Sequence, residues 1–447
     1  MRFLAKDLTT AARDKKDTEI EVSGWVHRIR DMGGITFVVL RDRSGLAQLV
    51  FDQKPEDSGG ALTLESVICA SGCATLNEKA PGGAELRVKS FKTLSKAAPD
   101  LPYQVNADIL KMGLETILDN RLLSLRNPKV QAIFKVQATI AAAFAEALRK
   151  QDFTEIKSSK LVGSGTEGGT ELFTVEYFDR KVCLAQSPQF YKEVMVASGL
   201  ERVFEIAPVY RAEKHDTPRH LNEYVSLDVE MGFIESEKDL IELEKNVLAH
   251  IFEEVAQKNP GELEMWNARV PDSGAVANAP TVPYDESLRI ANGEAAKTRG
   301  AGASSRIFDM NPEAERLICE WAKREHGIDL VFVNEFPRRY RPFYTYPLDK
   351  GEEGTAVSTM SFDCLFRGLE ITSGGRRHHD YNAFVETLPR FGIKSEEMPG
   401  YCALLKYGCP PHGGFAIGLE RLTEKILGLS SVKEASLFPR DRKRVEP

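Results

Sequence analysis

Residues 204–233, FEIAPVYRAEKHDTPRHLNEYVSLDVEMGF, constrain this chain more than any other stretch. Two apolar runs flank a charged, turn-rich middle. Phe204, Ile206 and Val209 begin one alternating strand, and Val225, Leu227 and Val229 alternate on the way back. The middle, RAEKHDTPRH at 211–220, cannot bury itself. The pattern predicts a long antiparallel hairpin whose loop and strand ends present fixed charges. Arg211 and Glu213 share parity, so one face is predicted to carry both; Asp228 and Glu230 do the same on the return strand. Arginine, histidine and carboxylates on a single hairpin suit a ligand that carries both phosphates and an amine.

With 447 residues the chain is too long for one compact core, and two or three domains are expected. Its 42% hydrophobic and 28% charged residues are those of an ordinary globular protein. There is no run of about 18 apolar residues and no secretory core at the N-terminus, so no membrane association is expected. The seven cysteines are scattered and odd in number, which predicts reduced thiols in a cytoplasmic protein. The net charge of −7 excludes a chain coated for nonspecific nucleic-acid binding; residues 1–100 carry +1 and the remainder −8, so any RNA contact must use local patches.

The hairpin sequence resembles motif 2 of the class II (subclass b) aminoacyl-tRNA synthetases, in the form carried by aspartyl-tRNA synthetases of archaeal and eukaryotic type. Other strings extend the resemblance over nearly the whole chain. Residues 24–51, GWVHRIRDMGGITFVVLRDRSGLAQLVF, resemble the family's anticodon-binding barrel. The alternation and turns of residues 1–100 independently predict five strands with an intervening helical segment, an OB-fold. The resemblance places Phe37 against an anticodon base and Gln48 and Glu85 on base edges, with Arg28 and Arg30 available to phosphates. It also implies that His27 and Pro81 occupy positions where relaxed enzymes differ from strict ones. Both lack contacts that would favour one anticodon base, and this predicts charging of tRNA(Asp) and tRNA(Asn) alike.

The predicted organisation is an OB-fold at 1–105, a hinge at 106–125 and a class II catalytic domain at 126–447, an antiparallel sheet flanked by helices; the whole is α+β. Ile133, Val136, Ile140, Phe144 and Leu148 predict a helix ending near Lys150, followed by a strand over 153–161. Helix and strand resemble motif 1, the dimer element, and imply a homodimer. Ser158-Ser159 stands where the motif normally carries Pro. Residues 163–170, GSGTEGGT, resemble the loop that closes over the amino acid, with Glu167 its carboxylate. Residues 237–258 read as a helix, 259–330 as a variable insertion, and 292–305 as an exposed loop.

The remaining site residues follow from the resemblance. In QSPQFYK, Gln189 would bind the substrate α-amino group and Lys192 its side-chain carboxylate. Arg377 would hold that carboxylate bidentately, and Asp228 would help to place the ammonium. Glu370 and Ser373 match positions that hold ATP-bound Mg²⁺, Ser373 also lying on the aspartate side; Arg376 replaces the usual Gln. Arg211 would grip the α-phosphate, and His220 and Arg421 the far phosphates. Glu213, Leu221, Tyr224 and Gly418 complete the ATP site, Tyr224 by stacking on the base. The implied reaction is activation of L-aspartate by ATP and transfer to the tRNA 3′ end, with an Asp-tRNA(Asn) amidotransferase as functional partner. Asparagine would leave the Lys192 and Arg377 cations underpaired. Three alternatives stand: a strictly discriminating aspartyl enzyme; an asparaginyl enzyme, against which QSPQ and His215-Asp216-Thr217 weigh; and an inactive RNA-binding paralogue, against which the full set of charged residues weighs.

Overall fold

The structure is a computed structural model that describes residues 2–14, 18–57, 60–163, 165, 172–299, 306–348 and 358–446. The chain forms two compact units, residues 1–131 and 132–447.

In the first unit, strands β1 (Glu19–Asp31), β2 (Thr36–Asp42), β3 (Gly45–Phe51), β4 (Val67–Leu76) and β5 (Ala84–Ser95) close a barrel in the order β1-β2-β3-β5-β4-β1. Among these five strands only the β3–β5 pairing is parallel. Period-2 alternation sends Val22, Val26, Val38, Leu40, Leu49, Ile68 and Leu86 inward, all buried. The fold is the expected OB barrel. The α-helix, however, is not between the barrel strands: α1 (Leu8–Asp14) precedes all five and buries Leu8, Ala11 and Ala12 in the barrel core. The described residues between β3 and β4 hold only a two-residue hairpin, Glu56–Asp57 with Gly60–Ala61. Residues 106–125 are packed rather than extended. The Asn106 side chain donates to the His27 carbonyl at 2.7 Å and Asn127 to that of Val105 at 2.8 Å.

The second unit is built on eight strands: β6 (Thr154–Glu155), β7 (Arg202–Tyr210), β8 (Glu223–Gly232), β9 (Thr281–Pro283), β10 (Leu330–Asn334), β11 (Ser361–Phe366), β12 (Leu369–Arg376) and β13 (His412–Gly418). Their order is β9-β10-β11-β12-β13-β8-β7-β6, antiparallel except at the two edges. Helices α2 (Pro128–Arg149) and α4 (Glu237–Lys258) cover one face. Asn127 caps α2 ahead of Pro128, and a Ser236–Asp239 capping box starts α4. Against them the sheet turns Leu227, Val229, Phe362, Phe415 and Ile417, each fully buried and contributing roughly 1.5–3 kcal/mol.

The opposite face is of another kind. Ser226, Asp228 and Glu230 on β8 lie beside Gly418, Ala416 and Gly414 on β13. Next come Ser373 and Gly375 on β12, then Asp363 and Ser361 on β11. One face thus carries the apolar core, while the other offers small side chains and charge, a floor with room above it.

Two expectations for this unit are corrected. The strand at 153–161 ends at Glu155, because the Ser158 backbone N–H and hydroxyl donate to the Glu205 carboxylate at 2.7 and 2.6 Å and draw the chain off the sheet. Leu161–Val162 joins a separate three-stranded sheet with Thr174–Tyr177 and Arg180–Leu184. The predicted loop from Asn292 is helical as far as Arg299, within α5 (Tyr284–Arg299). Ala291 and Ala295 are buried, and the Asn292 side chain bonds the backbone of Leu288 and Ile307, so tertiary packing overrides the Asn-Gly turn signal. Residues 300–305 lie outside the described part. Far from being a mere appendage, 259–330 supply β9 and helix α6 (Pro312–His326), whose Leu317 and Ile318 pack on the sheet.

Candidate active site

The hairpin of β7 and β8 is in continuous register from Arg202↔Met231 to Tyr210↔Glu223. Its neck is pinned: Arg211 N donates to Asn222 O at 2.9 Å, and the Asn222 amide donates to the carbonyls of Arg211 and Glu213. Arg211 and Glu213 lie past the last paired residue, so strand parity does not orient them as expected; on β8 it holds for Asp228 and Glu230. The Arg211 guanidinium sits 5.7 Å from the Tyr224 ring centroid. His220 is held by Thr217 Oγ1 at Nδ1, 2.6 Å, and faces Glu213 Oε2 across 3.5 Å. Burial lowers its pKa; Glu213 opposes the shift and Arg421 adds to it.

Above the polar floor lies a cleft of about 350 Å³. It gathers Arg211, Glu213, His220, Leu221 and Tyr224 from the hairpin with Gly418 and Arg421 from the last strand–helix junction. It also gathers Gln189, Lys192, Asp228, Glu370, Ser373 and Arg377. These are all the predicted nucleotide and amino-acid residues except Glu167, which lies outside the described residues.

One end of the cleft is a buried polar network. Helix α3 (Gln189–Met195) places Lys192 and Glu193 one turn after Gln189, all three buried. Lys192 Nζ is 3.0 Å from Asp228 Oδ1 and 3.2 Å from Glu230 Oε2. Arg377 Nε donates to Glu230 Oε1 at 3.0 Å, and Nη2 to Gly414 O at 3.0 Å and Gln189 Oε1 at 3.3 Å. Burial opposes ionisation of Glu230, but Arg377 and then Lys192 outweigh it and hold its pKa below the ordinary value. This corrects the charge count made from the sequence. Glu230 already pairs both cations, so asparagine would not leave them bare. Glu230 was visible as the parity mate of Asp228; nothing in the sequence linked it to Arg377. Gly414 opposite it is obligatory: a Cβ there would lie 2.0 Å from the Val229 carbonyl oxygen.

The other end is more open. Arg421 Nη1 donates to Glu370 O at 2.9 Å and approaches Glu370 Oε1 at 3.4 Å. Arg341, missed from the sequence, lies on the Phe336 ring and donates to Ser373 Oγ at 2.9 Å, with Asp363 Oδ1 at 2.8 Å. Burial raises the Asp363 pKa to about 6; Arg341 opposes this and Glu370 adds to it. Carboxylate and hydroxyl oxygens on Glu370, Asp363 and Ser373 form a hard donor set, and the repulsion between the two acids is one that a divalent cation relieves.

In the barrel unit, Gln48 and Asn77 both donate to Glu85 Oε2, at 2.9 and 2.7 Å. Phe37 is half-buried, Arg28 is exposed, and Pro81 lies in the turn between Asn77 and Glu85. His27 belongs to a different cluster. It is buried, with Nδ1 2.9 Å from Arg41 Nη1, and Arg41 makes a bidentate pair with Glu65 at 2.8 and 2.7 Å. Burial, then Arg41, lowers the His27 pKa to about 4, so the ring is neutral at pH 7.

Comparison with known proteins agrees with this geometry. Residues 20–94 match the OB-fold nucleic acid binding domain, and residues 113–442 match the tRNA synthetases class II (D, K and N). The chain is 45% identical to the aspartate–tRNA(Asp/Asn) ligase of Thermus thermophilus, with all of both chains covered. It is 43% identical to the ligase of the same name from Deinococcus radiodurans over 99% of each. Among solved structures it is similar to Pyrococcus horikoshii asparaginyl-tRNA synthetase complexed with asparaginyl-adenylate, with TM-score 0.83, 29% identity and 97% of each chain covered. A sheet with a polar floor, a charged hairpin over it and an OB barrel before it belong to one family: the chain is a member of the class II tRNA synthetases of the D, K and N group.

Proposed function

We propose that this synthetase is an aspartate–tRNA ligase that charges both tRNA(Asp) and tRNA(Asn). The observation that carries the reading is the division of the cleft. Two buried cations, Lys192 and Arg377, stand at one end, and Arg211, His220 and Arg421 at the other. A small dicarboxylic amino acid and a triphosphate fit that arrangement. The names of the Thermus and Deinococcus relatives support the choice of aspartate and of both tRNAs.

Aspartate lies with its side-chain carboxylate toward Lys192 and Arg377 and its ammonium toward Asp228 and Gln189. Tyr224 stacks on adenine, with Glu213, Leu221 and Gly418 around it; Arg211 grips the α-phosphate, and His220 and Arg421 hold the outer phosphates. The substrate α-carboxylate attacks the α-phosphorus, the bond to the bridging oxygen breaks, and pyrophosphate leaves. A hydroxyl of the tRNA 3′-terminal ribose then attacks the activated carbonyl and AMP departs. The chain supplies positioning and fixed charge, not a nucleophile. Mg²⁺, held by Glu370, Ser373 and Asp363, would neutralise phosphate charge. Phe37, Gln48 and Glu85, with Arg28 nearby, present the anticodon surface, and His27 acts from behind it through Arg41.

A homodimer formed through α2 and the segment after it fits the family. The Asp-tRNA(Asn) product calls for an amidotransferase. Seven free thiols fit a cytoplasmic setting, and among the described residues no helix is long and apolar enough to cross a membrane. The test is aminoacylation of purified tRNA(Asp) and tRNA(Asn) side by side. Comparable charging of both is expected; charging of tRNA(Asp) alone would show a discriminating enzyme.

A further inference from the structure

Behind the amino-acid end of the cleft lies a group of buried residues to which the reaction gives no part. Glu193, one helical turn beyond Gln189, is 1% exposed, and His412, at the start of β13, is fully buried. Their side chains meet, His412 Nε2 to Glu193 Oε2, at 3.0 Å. The other Glu193 oxygen accepts from Gln189 Nε2 at 2.7 Å and from the Tyr401 hydroxyl at 3.1 Å. The second ring nitrogen, His412 Nδ1, lies 2.9 Å from the Pro410 carbonyl oxygen and 3.4 Å from Cys409 Sγ. Both ring nitrogens therefore face acceptors, and only the doubly protonated imidazolium satisfies both.

We infer that Glu193 and His412 are positioning residues for amino-acid recognition, their buried ion pair fixing which end of the Gln189 amide faces the substrate. The inference rests on the proposed role of Gln189. A glutamine amide has a donor end and an acceptor end of nearly the same shape. Glu193, an acceptor on both oxygens, takes the donor end. Gln189 Oε1 is thereby turned toward Arg377 Nη2 and the cleft. An oxygen there can accept from a substrate ammonium; an NH₂ would oppose both the ammonium and Arg377. His412 engages one Glu193 oxygen from the far side and leaves the other to accept from Gln189. Burial alone would lower the His412 pKa, but the contacts with Cys409 and Glu193 raise it to about 10, and the device stays set across the neutral range.

The experiment is ATP–pyrophosphate exchange by Glu193→Gln, with aspartate and ATP varied separately between pH 6 and 9. The introduced amide can donate as well as accept, so the Gln189 amide loses its fixed sense. The KM for aspartate should rise about tenfold or more while that for ATP stays within about twofold. His412, without its carboxylate partner, loses one of the two contacts that raise its pKa against burial, so it should titrate lower than in the wild type. The aspartate KM should then vary with pH in the variant and stay flat in the wild type. A mere loss of packing would shift both KM values and give no such pH dependence, and either result would overturn the inference. Tyr401→Phe, which removes one hydroxyl and keeps the ring, should give a smaller rise in the aspartate KM alone. It stands in if Glu193→Gln does not fold, and an unchanged aspartate KM in it would then count against the inference. Wild-type exchange without a preference for aspartate would sink the substrate reading instead, and the same ratios measured with the preferred amino acid would still decide the role of Glu193.

Discussion

Arg377 donates its Nε to Glu230 Oε1 at 3.0 Å, in a buried pair. This contact ties β8 to the end of β12 and fixes the guanidinium before any substrate arrives. Removing one partner of such a pair leaves a buried charge uncompensated, at a cost of about 3–5 kcal/mol. Glu230→Gln is therefore expected to lower unfolding stability by about 3 kcal/mol. It should also make stabilisation by added aspartate larger than in the wild type, since the ligand carboxylate replaces the lost charge. Thermal melts with and without aspartate check both parts.

Arg211 follows Tyr210, the last paired residue of β7, and its backbone is held by Asn222 whatever its side chain. Arg211→Ala should fold normally and lose about 3 kcal/mol or more of transition-state stabilisation, a fall of roughly 10²-fold in exchange rate. Circular dichroism and pyrophosphate exchange on the same preparation separate the two effects.

Glu244 on α4 is fully buried behind β11 and β12, and burial raises its pKa to about 8. The folded pKa lies above the unfolded one, near 4.5, so the folded state holds the proton more tightly. Stability then falls as pH rises from about 4.5 toward 8, and the penalty is complete above that. Glu244→Gln removes this dependence. Its stability advantage over the wild type should grow by about 2–3 kcal/mol between about pH 6 and pH 8, read from urea unfolding at the two pH values.

Gln48 and Asn77 share one carboxylate oxygen of Glu85, which is buried in the barrel wall. Glu85→Ala should release both side chains. Pyrophosphate exchange is expected to stay within about twofold, while kcat/KM for tRNA charging drops about tenfold, in keeping with about 1–3 kcal/mol for a lost base contact.

What could be read from the sequence was what repeats locally or is carried by contiguous motifs. The alternation on both sides of 211–220 gave the hairpin, and the spacing of Ile133 to Leu148 gave α2, because each depends on neighbours a few residues away. The residues that complete the cleft depend on distant partners. Glu230 meets Arg377 147 positions later, and Glu193 meets His412 after 219. No local pattern encodes either pairing. The helix at Asn292 was misread for the same reason: its Asn-Gly pair signals a turn, yet the Asn292 side chain is spent on Ile307, fifteen residues on. His27 was placed with the base-reading residues by resemblance, and only the fold puts it with Arg41 and Glu65.

Whether the cleft activates aspartate is decided by ATP–pyrophosphate exchange with aspartate, asparagine and lysine supplied singly. Rapid exchange is expected with aspartate and at least about 10²-fold slower exchange with the other two, since Lys192 and Arg377 are both donors and the NH₂ end of an asparagine amide would oppose them where both oxygens of a carboxylate can accept. Equal or faster exchange with asparagine, or none with any of the three, would refute the assignment.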